Sequence, residues 1–154
     1  MLCVTSELRQ PIAASPSLLT MQARPYQKEL LEKAKEKNII VYLGTGSGKT
    51  FIAVMLIKHM RDLLGRSKKV MFLVNNVALL EQQAQVIRDC TGLSTASYCG
   101  ADGVDHWDKG KWGKEVQEQS VMVFIHQVFL DAVAHGFISI SNLALLVMDE
   151  CHTP

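Results

Sequence analysis

Zinc-binding and disulfide patterns are missing from the sequence. It contains no C-x-x-C pair, and no histidine stands at a zinc-finger spacing from a cysteine. Structural zinc sites and the disulfide frameworks of small secreted proteins depend on such spacings, so their absence argues against both classes. We interpret the cysteines as reduced, mostly buried thiols of a cytoplasmic protein. They are Cys3, Cys90, Cys99 and Cys151.

The sequence also lacks long apolar runs and an excess of charge of one sign. No stretch approaches the roughly 20 apolar residues that cross a membrane, so no membrane association is expected. No basic segment precedes an apolar run at the start of the chain, which argues against a signal peptide. A net charge of +1 gives no indication of nucleic-acid binding, and any such function must be argued from motifs.

The chain has the length of one domain, because domains typically contain roughly 100–200 residues. Residues 1–22 contain Pro11 and Pro16 and show little periodicity, so we predict an irregular or disordered lead there. Apolar runs recur from there onward, and we assign residues 23–154 to the folded domain.

Short apolar runs alternate with segments of helical periodicity along this domain. The pattern predicts strands at 39–43, 70–74, 94–99, 121–125 and 143–148, helices at 24–38, 51–60, 77–88 and 127–134, and a polar connection at 100–119. Strands that are apolar throughout are buried on both faces. The fold class is therefore predicted to be α/β, with a parallel sheet and helices on both faces.

The stretch GTGSGKT, residues 44–50, follows a predicted strand and opens a predicted helix. This is the context of a phosphate-binding loop, in which glycines let backbone N–H groups turn toward phosphates. Lys49 would reach the β- and γ-phosphates of ATP, and the Thr50 hydroxyl would bind Mg²⁺. The full G-x-x-x-x-G-K-[ST] pattern has glycine where this chain has Leu43. The alternative is a glycine-rich turn beside a buried lysine.

An acidic pair, Asp149 and Glu150, ends the last predicted strand. The carboxyl ends of parallel strands share one edge, so Asp149 is expected beside the glycine loop, where it would hold Mg²⁺. Glu150 would orient or deprotonate the attacking water. His152 would sense the γ-phosphate or relay to another motif; the alternative is an ordinary hydrogen-bonded loop histidine. Without the glycine loop, the acidic pair would be interpreted as solvated surface.

TGSGKT together with DECH, residues 149–152, resembles motifs I and II of the superfamily 2 DExH-box RNA helicases. RPYQ, residues 24–27, is similar to the adenine-recognising Gln motif, and NNVALLEQQ, residues 75–83, to motif Ia. Within that superfamily the chain most resembles the N-terminal helicase region of Dicer, specifically the arthropod type of the small-interfering-RNA pathway. GADGVDHWDKGKWGKEV, residues 100–116, and QVFLDAV, residues 127–133, also carry this resemblance, and Leu43 is not unusual in it.

The resemblance implies a RecA-like P-loop NTPase domain and a role for each matching residue. Gln27 would contact adenine, Thr50 and Asp149 would bind Mg²⁺, and Glu150 would be the catalytic carboxylate. The remaining nucleotide-binding residues would be Gly44, Thr45, Gly46, Ser47, Gly48 and Lys49. RNA phosphates would contact Gln82, His126 and Gln127; the alternative is that these are polar residues of helix surfaces.

Two tryptophans, Trp107 and Trp112, lie among lysines in HWDKGKWGKE. Aromatic residues interleaved with lysines suit base stacking on single strands. Their spacing of five residues within a helix-like charge pattern favours packing instead. We therefore interpret both as packing anchors.

A helicase of this superfamily binds ATP between two RecA-like domains, and the second domain supplies arginines to the γ-phosphate. The chain stops before motif III, so we interpret it as a fragment, incomplete at the C-terminus, that does not hydrolyse ATP appreciably alone. The leading hypothesis is the ATP-binding part of a cytoplasmic, double-stranded-RNA-dependent ATPase of RNA interference. Its nuclease would lie outside the fragment, and double-stranded-RNA-binding proteins would be cofactors.

Two alternatives remain open at this point. One is another superfamily 2 enzyme, such as an innate RNA-sensing ATPase or a DNA helicase. The other is a non-catalytic RNA-binding or regulatory module that keeps the fold without binding nucleotide.

Overall fold

A computed structural model describes residues 2–5, 22–43, 47–64 and 68–149. In these ranges the strands are β1 (Leu2–Thr5), β2 (Ile39–Tyr42), β3 (Lys69–Val74), β4 (Thr95–Tyr98), β5 (Val121–Ile125) and β6 (Leu143–Asp149). The α-helices are α1 (Pro25–Glu36), α2 (Lys49–His59), α3 (Val77–Thr91), α4 (Lys109–Glu118) and α5 (His126–Ala134). Short 3₁₀ turns occupy Arg61–Leu63, Gly100–Asp102, Val104–His106 and Ile140–Asn142.

The described strands form one sheet in the order β2-β1-β6-β3-β5-β4. Every pair of neighbours is parallel. Because strands of one direction end at one edge, β2, β3, β5 and β6 all end at the carboxyl edge. The predicted α/β class with a parallel sheet is confirmed.

The sheet separates two hydrophobic cores. Val70, Phe72 and Val74 of β3 face one core, which includes buried residues of α2 and α3. Met71 and Leu73 of the same strand face the other core, which includes buried residues of α4 and α5. Both faces of the central strand are therefore covered, which explains why its sequence is apolar without alternation.

The prediction of an irregular lead over residues 1–22 is wrong for Leu2–Thr5. These residues form β1, which pairs with β2 on one side and β6 on the other. The segment has only four residues, and its pairing partners lie far along the chain, so local periodicity gave no sign of it. The sheet therefore begins before residue 23, while residues 6–21 lie outside the described part.

Helix α4 lies within the stretch that the sequence pattern assigned to a polar connection. Gly110 and Gly113 lower helix propensity there, which hid the element. The helix is nevertheless fixed at its start by Asp108, whose carboxylate accepts a hydrogen bond from the backbone N–H of Lys111 at 2.8 Å. Burial of Trp112 on its inner face attaches it to the sheet.

Trp112 lies in an aromatic cluster of the second core and is only 2% exposed. Its ring centroid lies 5.5 Å from that of Tyr98, which stacks on Phe124 at 4.8 Å. The Tyr98 hydroxyl donates to Glu115 at 2.8 Å, and burial, followed by this carboxylate, raises the pKa of Tyr98. Trp107 is half-buried, 5.1 Å from Trp112, with the Lys111 ammonium 3.9 Å from its ring centroid. The interpretation of the tryptophans as packing anchors is confirmed.

The two cysteines whose side chains the structure describes, Cys90 and Cys99, are free and buried. Burial raises the pKa of the Cys90 thiol. The pKa of Cys99 is raised first by its hydrogen bond to Asp102 at 3.0 Å and then by burial. Both thiols are therefore held in the protonated form, as expected of reduced structural cysteines.

A lysine is buried at the amino edge of the sheet, opposite the edge from which the glycine loop leaves. Lys69 opens β3, is 2% exposed, and its ammonium donates to the carbonyl of Gln117 at 3.4 Å. Burial lowers the pKa of Lys69, because a charged ammonium loses hydration in this position. The C-terminal end of α4, where Gln117 lies, offers partial negative charge in compensation.

Replacing Trp112 by alanine tests the importance of the aromatic cluster. We expect Trp112→Ala to lower the free energy of unfolding by about 3–5 kcal/mol, because it leaves a large cavity in a close-packed core. Trp107→Ala is the matched control and should cost clearly less, since this ring is partly solvated. Denaturant titration of the three proteins measures the difference. Equal losses for both variants would contradict the packing described.

Candidate functional site

The glycine loop joins β2 to α2 at the carboxyl edge of the sheet. Gly44, Thr45 and Gly46 lie outside the described residues, whereas Ser47 and Gly48 are described. Gly48 caps the N-terminus of α2 with φ +80°, in the left-handed region that glycine adopts without strain. The first N–H groups of a helix have no intrahelical partners and carry partial positive charge, which favours an anion at this point.

Lys49 is the first residue of α2, and its side chain is buried. It is 5% exposed, and its ammonium donates to the carbonyl of Leu43 at 2.7 Å. The cation is therefore held against the end of β2, at the base of the loop. Poor solvation strengthens its attraction for a phosphate oxygen.

Gln27 connects the start of α1 to the same loop. Its Oε1 accepts from the Arg24 backbone N–H at 2.9 Å, and its Nε2 donates to the carbonyls of Ser47 at 3.2 Å and Gly48 at 3.4 Å. The Tyr26 hydroxyl also donates to the Ser47 carbonyl. The amide is thus engaged with backbone groups on both sides, and its contact with adenine stays a prediction.

Thr50 follows Lys49, and its hydroxyl is contacted by a residue to which the motifs assigned no role. Gln83 of α3 donates from Nε2 to Thr50 Oγ1 at 3.4 Å. Gln83 is 7% exposed, and within the described part of the chain its Oε1 has no hydrogen-bond partner. The motif match had instead selected its neighbour Gln82, which is exposed. Gln83 was detectable as a polar residue on the apolar face that Leu80 begins.

Asp149 ends β6 at the carboxyl edge and is 4% exposed. It is level with Val4 of β1, the strand that pairs on its other side with β2. The sheet therefore brings Asp149 to the same edge as Lys49 and Thr50. Strand β1 lies between β6, which ends at Asp149, and β2, which leads to the glycine loop. Glu150 and His152 lie outside the described residues.

The predicted RNA contacts lie on two helices that start at this edge. Gln82 is exposed on α3, and Gln127, exposed on α5, donates to Asp131 at 2.9 Å. His126 opens α5 and is half-buried, and no hydrogen-bond partner for its Nε2 lies in the described ranges. Burial lowers the pKa of His126, so the neutral ring is favoured. Contact of these residues with RNA stays a prediction.

The donor atoms near Thr50 suit a hard cation. Mg²⁺ prefers oxygen ligands and keeps several waters, so it needs only a few protein groups besides phosphates. The Thr50 hydroxyl and the Asp149 carboxylate are such groups. The described residues contain no cluster of three or more His, Cys, Asp or Glu side chains suited to a metal. A site that relies on phosphate and water oxygens requires none.

The family model described as "Type III restriction enzyme, res subunit" matches residues 20–153, which include every predicted site residue. The chain belongs to this family. Its members share the RecA-like α/β domain of helicase type, in agreement with the fold expected from the motifs.

This res-subunit domain is similar to several Dicer proteins. It is 41% identical over 146 residues to "Endoribonuclease Dicer homolog 1" of Arabidopsis thaliana, covering 93% of this chain and 8% of that protein. It is 42% identical over 134 residues to "Endoribonuclease Dicer-S" of Xenopus laevis, covering 84% of this chain and 7% of that protein. The resemblance to Dicer is confirmed, whereas the narrower arthropod assignment stays a prediction.

A solved structure shares the architecture of the res-subunit domain. It is a nuclease-deletion mutant of the Type ISP restriction-modification enzyme LlaGI in complex with a DNA substrate mimic. The TM-score is 0.56 at 17% identity, over 84% of this chain and 17% of that one. At this identity the similarity shows the fold alone.

None of the helices in the described ranges combines the length and hydropathy that a membrane crossing requires.

Substitution of Gly48 tests the backbone geometry of the loop. An added Cβ would lie 2.5 Å from Gln27 Nε2, at a φ of +80° that other residues adopt only with strain. We expect Gly48→Ala to lower the free energy of unfolding by about 1–2 kcal/mol from the left-handed backbone alone. Thermal or denaturant unfolding measures this loss.

Gly113→Ala in α4 is the control for Gly48→Ala. Nothing described lies within 4 Å of its added Cβ, so alanine should stabilise the helix by about 0.5–1 kcal/mol. A change of stability in the same direction for both variants would contradict the left-handed backbone described for Gly48.

Proposed function

We propose that this chain is the ATP-binding part of a Dicer-like, double-stranded-RNA-dependent ATPase of helicase type that acts in RNA interference. The complete protein would use ATP to move along or load RNA for cleavage into small interfering RNAs, with the nuclease outside this chain. The observation that carries the proposal is the buried Lys49 at the start of α2, behind a left-handed Gly48.

The phosphates of ATP would lie at the N-terminus of α2. Lys49 exchanges the Leu43 carbonyl for the β- and γ-phosphates, and backbone N–H groups of residues 44–48 donate to phosphate oxygens. Gln27 links α1 to the loop through Ser47 and Gly48, so it is positioned to respond to adenine bound beside α1. Nucleotide binding would therefore involve both the loop and the first helix.

Thr50 and Asp149 would hold Mg²⁺ with the phosphate oxygens. When bound, Mg²⁺ neutralises charge that develops on the γ-phosphate. Asp149 is 4% exposed and ends β6 at the carboxyl edge, the edge from which α2 starts. Glu150 follows it directly in the sequence and would orient or deprotonate the attacking water.

Double-stranded RNA is the proposed nucleic-acid partner. His126 and Gln127 open α5, and Gln82 lies in the first half of α3; both helices start at the edge that carries the nucleotide site. Their amide and imidazole groups can donate to RNA phosphates. The similarity to Dicer proteins supports double-stranded RNA as the partner. A cytoplasmic location and double-stranded-RNA-binding protein cofactors are part of the same proposal.

Hydrolysis is assigned to the complete protein. The chain spans 8% of the length of "Endoribonuclease Dicer homolog 1" and 10% of "Endoribonuclease Dicer homolog 2", both of Arabidopsis thaliana. Arginines from a second RecA-like domain would complete the γ-phosphate site, and such an arginine finger accelerates phosphoryl transfer by about 10³–10⁵-fold. Residues 1–154 alone should therefore bind nucleotide without appreciable turnover.

Nucleotide affinity of a Lys49→Ala variant tests the phosphate site. We expect roughly 10- to 100-fold weaker binding of Mg²⁺–ATP, because a charged hydrogen bond contributes about 1.5–3 kcal/mol. Lys58→Ala, which removes an exposed lysine from the same helix, is the control and should bind like the wild type. Isothermal titration calorimetry gives the affinities. Equal ATP affinity of both variants would contradict the ATPase assignment and favour a non-catalytic module.

The nucleic-acid partner is tested by ATP hydrolysis of the complete protein. Long double-stranded RNA should stimulate turnover more than double-stranded DNA of equal length. Glu150→Gln should lower the stimulated rate by about 10²–10⁴-fold, the usual contribution of a general base, with ATP affinity retained. Preferential stimulation by DNA would instead indicate a DNA helicase of the same superfamily.

A further inference from the structure

One buried contact at the nucleotide site comes from the last residue of the stretch 75–83, a residue to which the motifs assigned no role. Gln83 reaches from α3 to Thr50 of α2, with 3.4 Å between Nε2 and Oγ1. At 7% exposure it belongs to the buried residues of α3, beside Leu80 and Ala84. A glutamine in such surroundings costs free energy unless its polar atoms are used.

Among the described residues, Gln83 forms a hydrogen bond through its amide nitrogen alone. Its Oε1 is buried and has no hydrogen-bond partner within the described ranges. A buried acceptor without a donor destabilises the protein, so such atoms are rare in native structures. Oε1 and Nε2 belong to the same planar amide. A 180° rotation of that amide would therefore place Oε1 where Nε2 now contacts the Thr50 hydroxyl.

The hydrogen-bonding capacity of the Thr50 hydroxyl indicates a role for the Oε1 acceptor of Gln83. A hydroxyl has one donor and two acceptor lone pairs. A hydroxyl that binds a cation gives a lone pair to it, and its O–H then needs an acceptor. The Oε1 of Gln83 becomes that acceptor when the amide turns by 180°, which exchanges donor and acceptor with little change of shape.

We propose that Gln83 is a positioning residue for Thr50, which orients the hydroxyl so that a lone pair faces Mg²⁺ and its proton faces Gln83. This proposal rests on the nucleotide site proposed above and adds a residue of α3 to it. Gln83 does not touch the nucleotide. It acts through Thr50, as partners of metal ligands commonly do.

The test measures how Mg²⁺ changes ATP affinity in Gln83→Leu. Loss of an orienting partner typically lowers metal affinity by about 10–100-fold, so Mg²⁺-dependent binding should weaken by that factor. ATP affinity in EDTA should stay unchanged. Gln85→Leu is the matched control, an exposed glutamine of the same helix that contacts Asp89 and Arg88, and it should resemble the wild type.

Two further variants separate positioning from packing. Gln83→Glu keeps an acceptor for the Thr50 hydroxyl, and it should retain Mg²⁺-dependent binding although it cannot donate. In a Thr50→Ala background, Gln83→Leu should cause no additional loss, because the group through which it acts is gone. Thermal unfolding of each variant identifies any that fails to fold. If Gln83→Leu fails to fold, the Mg²⁺-dependent ATP affinity of Gln83→Glu decides between positioning and packing.

The outcomes are distinct for the two proposals. Equal Mg²⁺ dependence in Gln83→Leu and wild type would overturn the role of Gln83 while leaving the nucleotide site intact. Equal weakening with and without Mg²⁺, or an undiminished loss in the Thr50→Ala background, would reduce Gln83 to a packing residue and also overturn it. Failure of the wild type to bind nucleotide would overturn the proposed function itself.

Discussion

The double pairing of β1 is the constraint on which the rest of the site depends. One hydrogen-bonded ladder joins Leu2–Thr5 to β2, which leads into the glycine loop, and the other joins it to β6, which ends at Asp149. Two strand spacings of about 4.8 Å therefore separate the halves of the site. Hydrogen bonds of the backbone, rather than side-chain contacts, set this separation.

The helices add orientation to what the sheet fixes in position. Gln27 attaches the N-terminus of α1 to the loop, and Gln83 attaches α3 to the second residue of α2. Each uses a neutral amide, which can donate and accept without the desolvation cost of a buried charge. The loop is thus contacted from two helices by groups that can exchange partners when an anion binds.

Much of this could be predicted from the sequence, and the reasons for the exceptions are physical. The strands at 70–74 and 121–125 are apolar throughout, and the glycine loop and acidic pair have diagnostic spacings, so the fold class and the site edge were accessible. Strand β1 was not, because four residues carry too little periodicity and its partners are distant. Helix α4 was obscured by Gly110 and Gly113, and Gln83 by the exposed motif residue next to it.

The buried Lys69 can report local opening at the amino edge of the sheet, opposite the nucleotide site. Its ammonium is enclosed at 2% exposure and contacts the carbonyl of Gln117 near the end of α4. An amine-reactive reagent can reach it only when β3 and α4 separate, whereas exposed lysines such as Lys109 and Lys114 react at once. Lys69 is therefore an intrinsic label for local opening of this edge, far from the residues that would bind nucleotide.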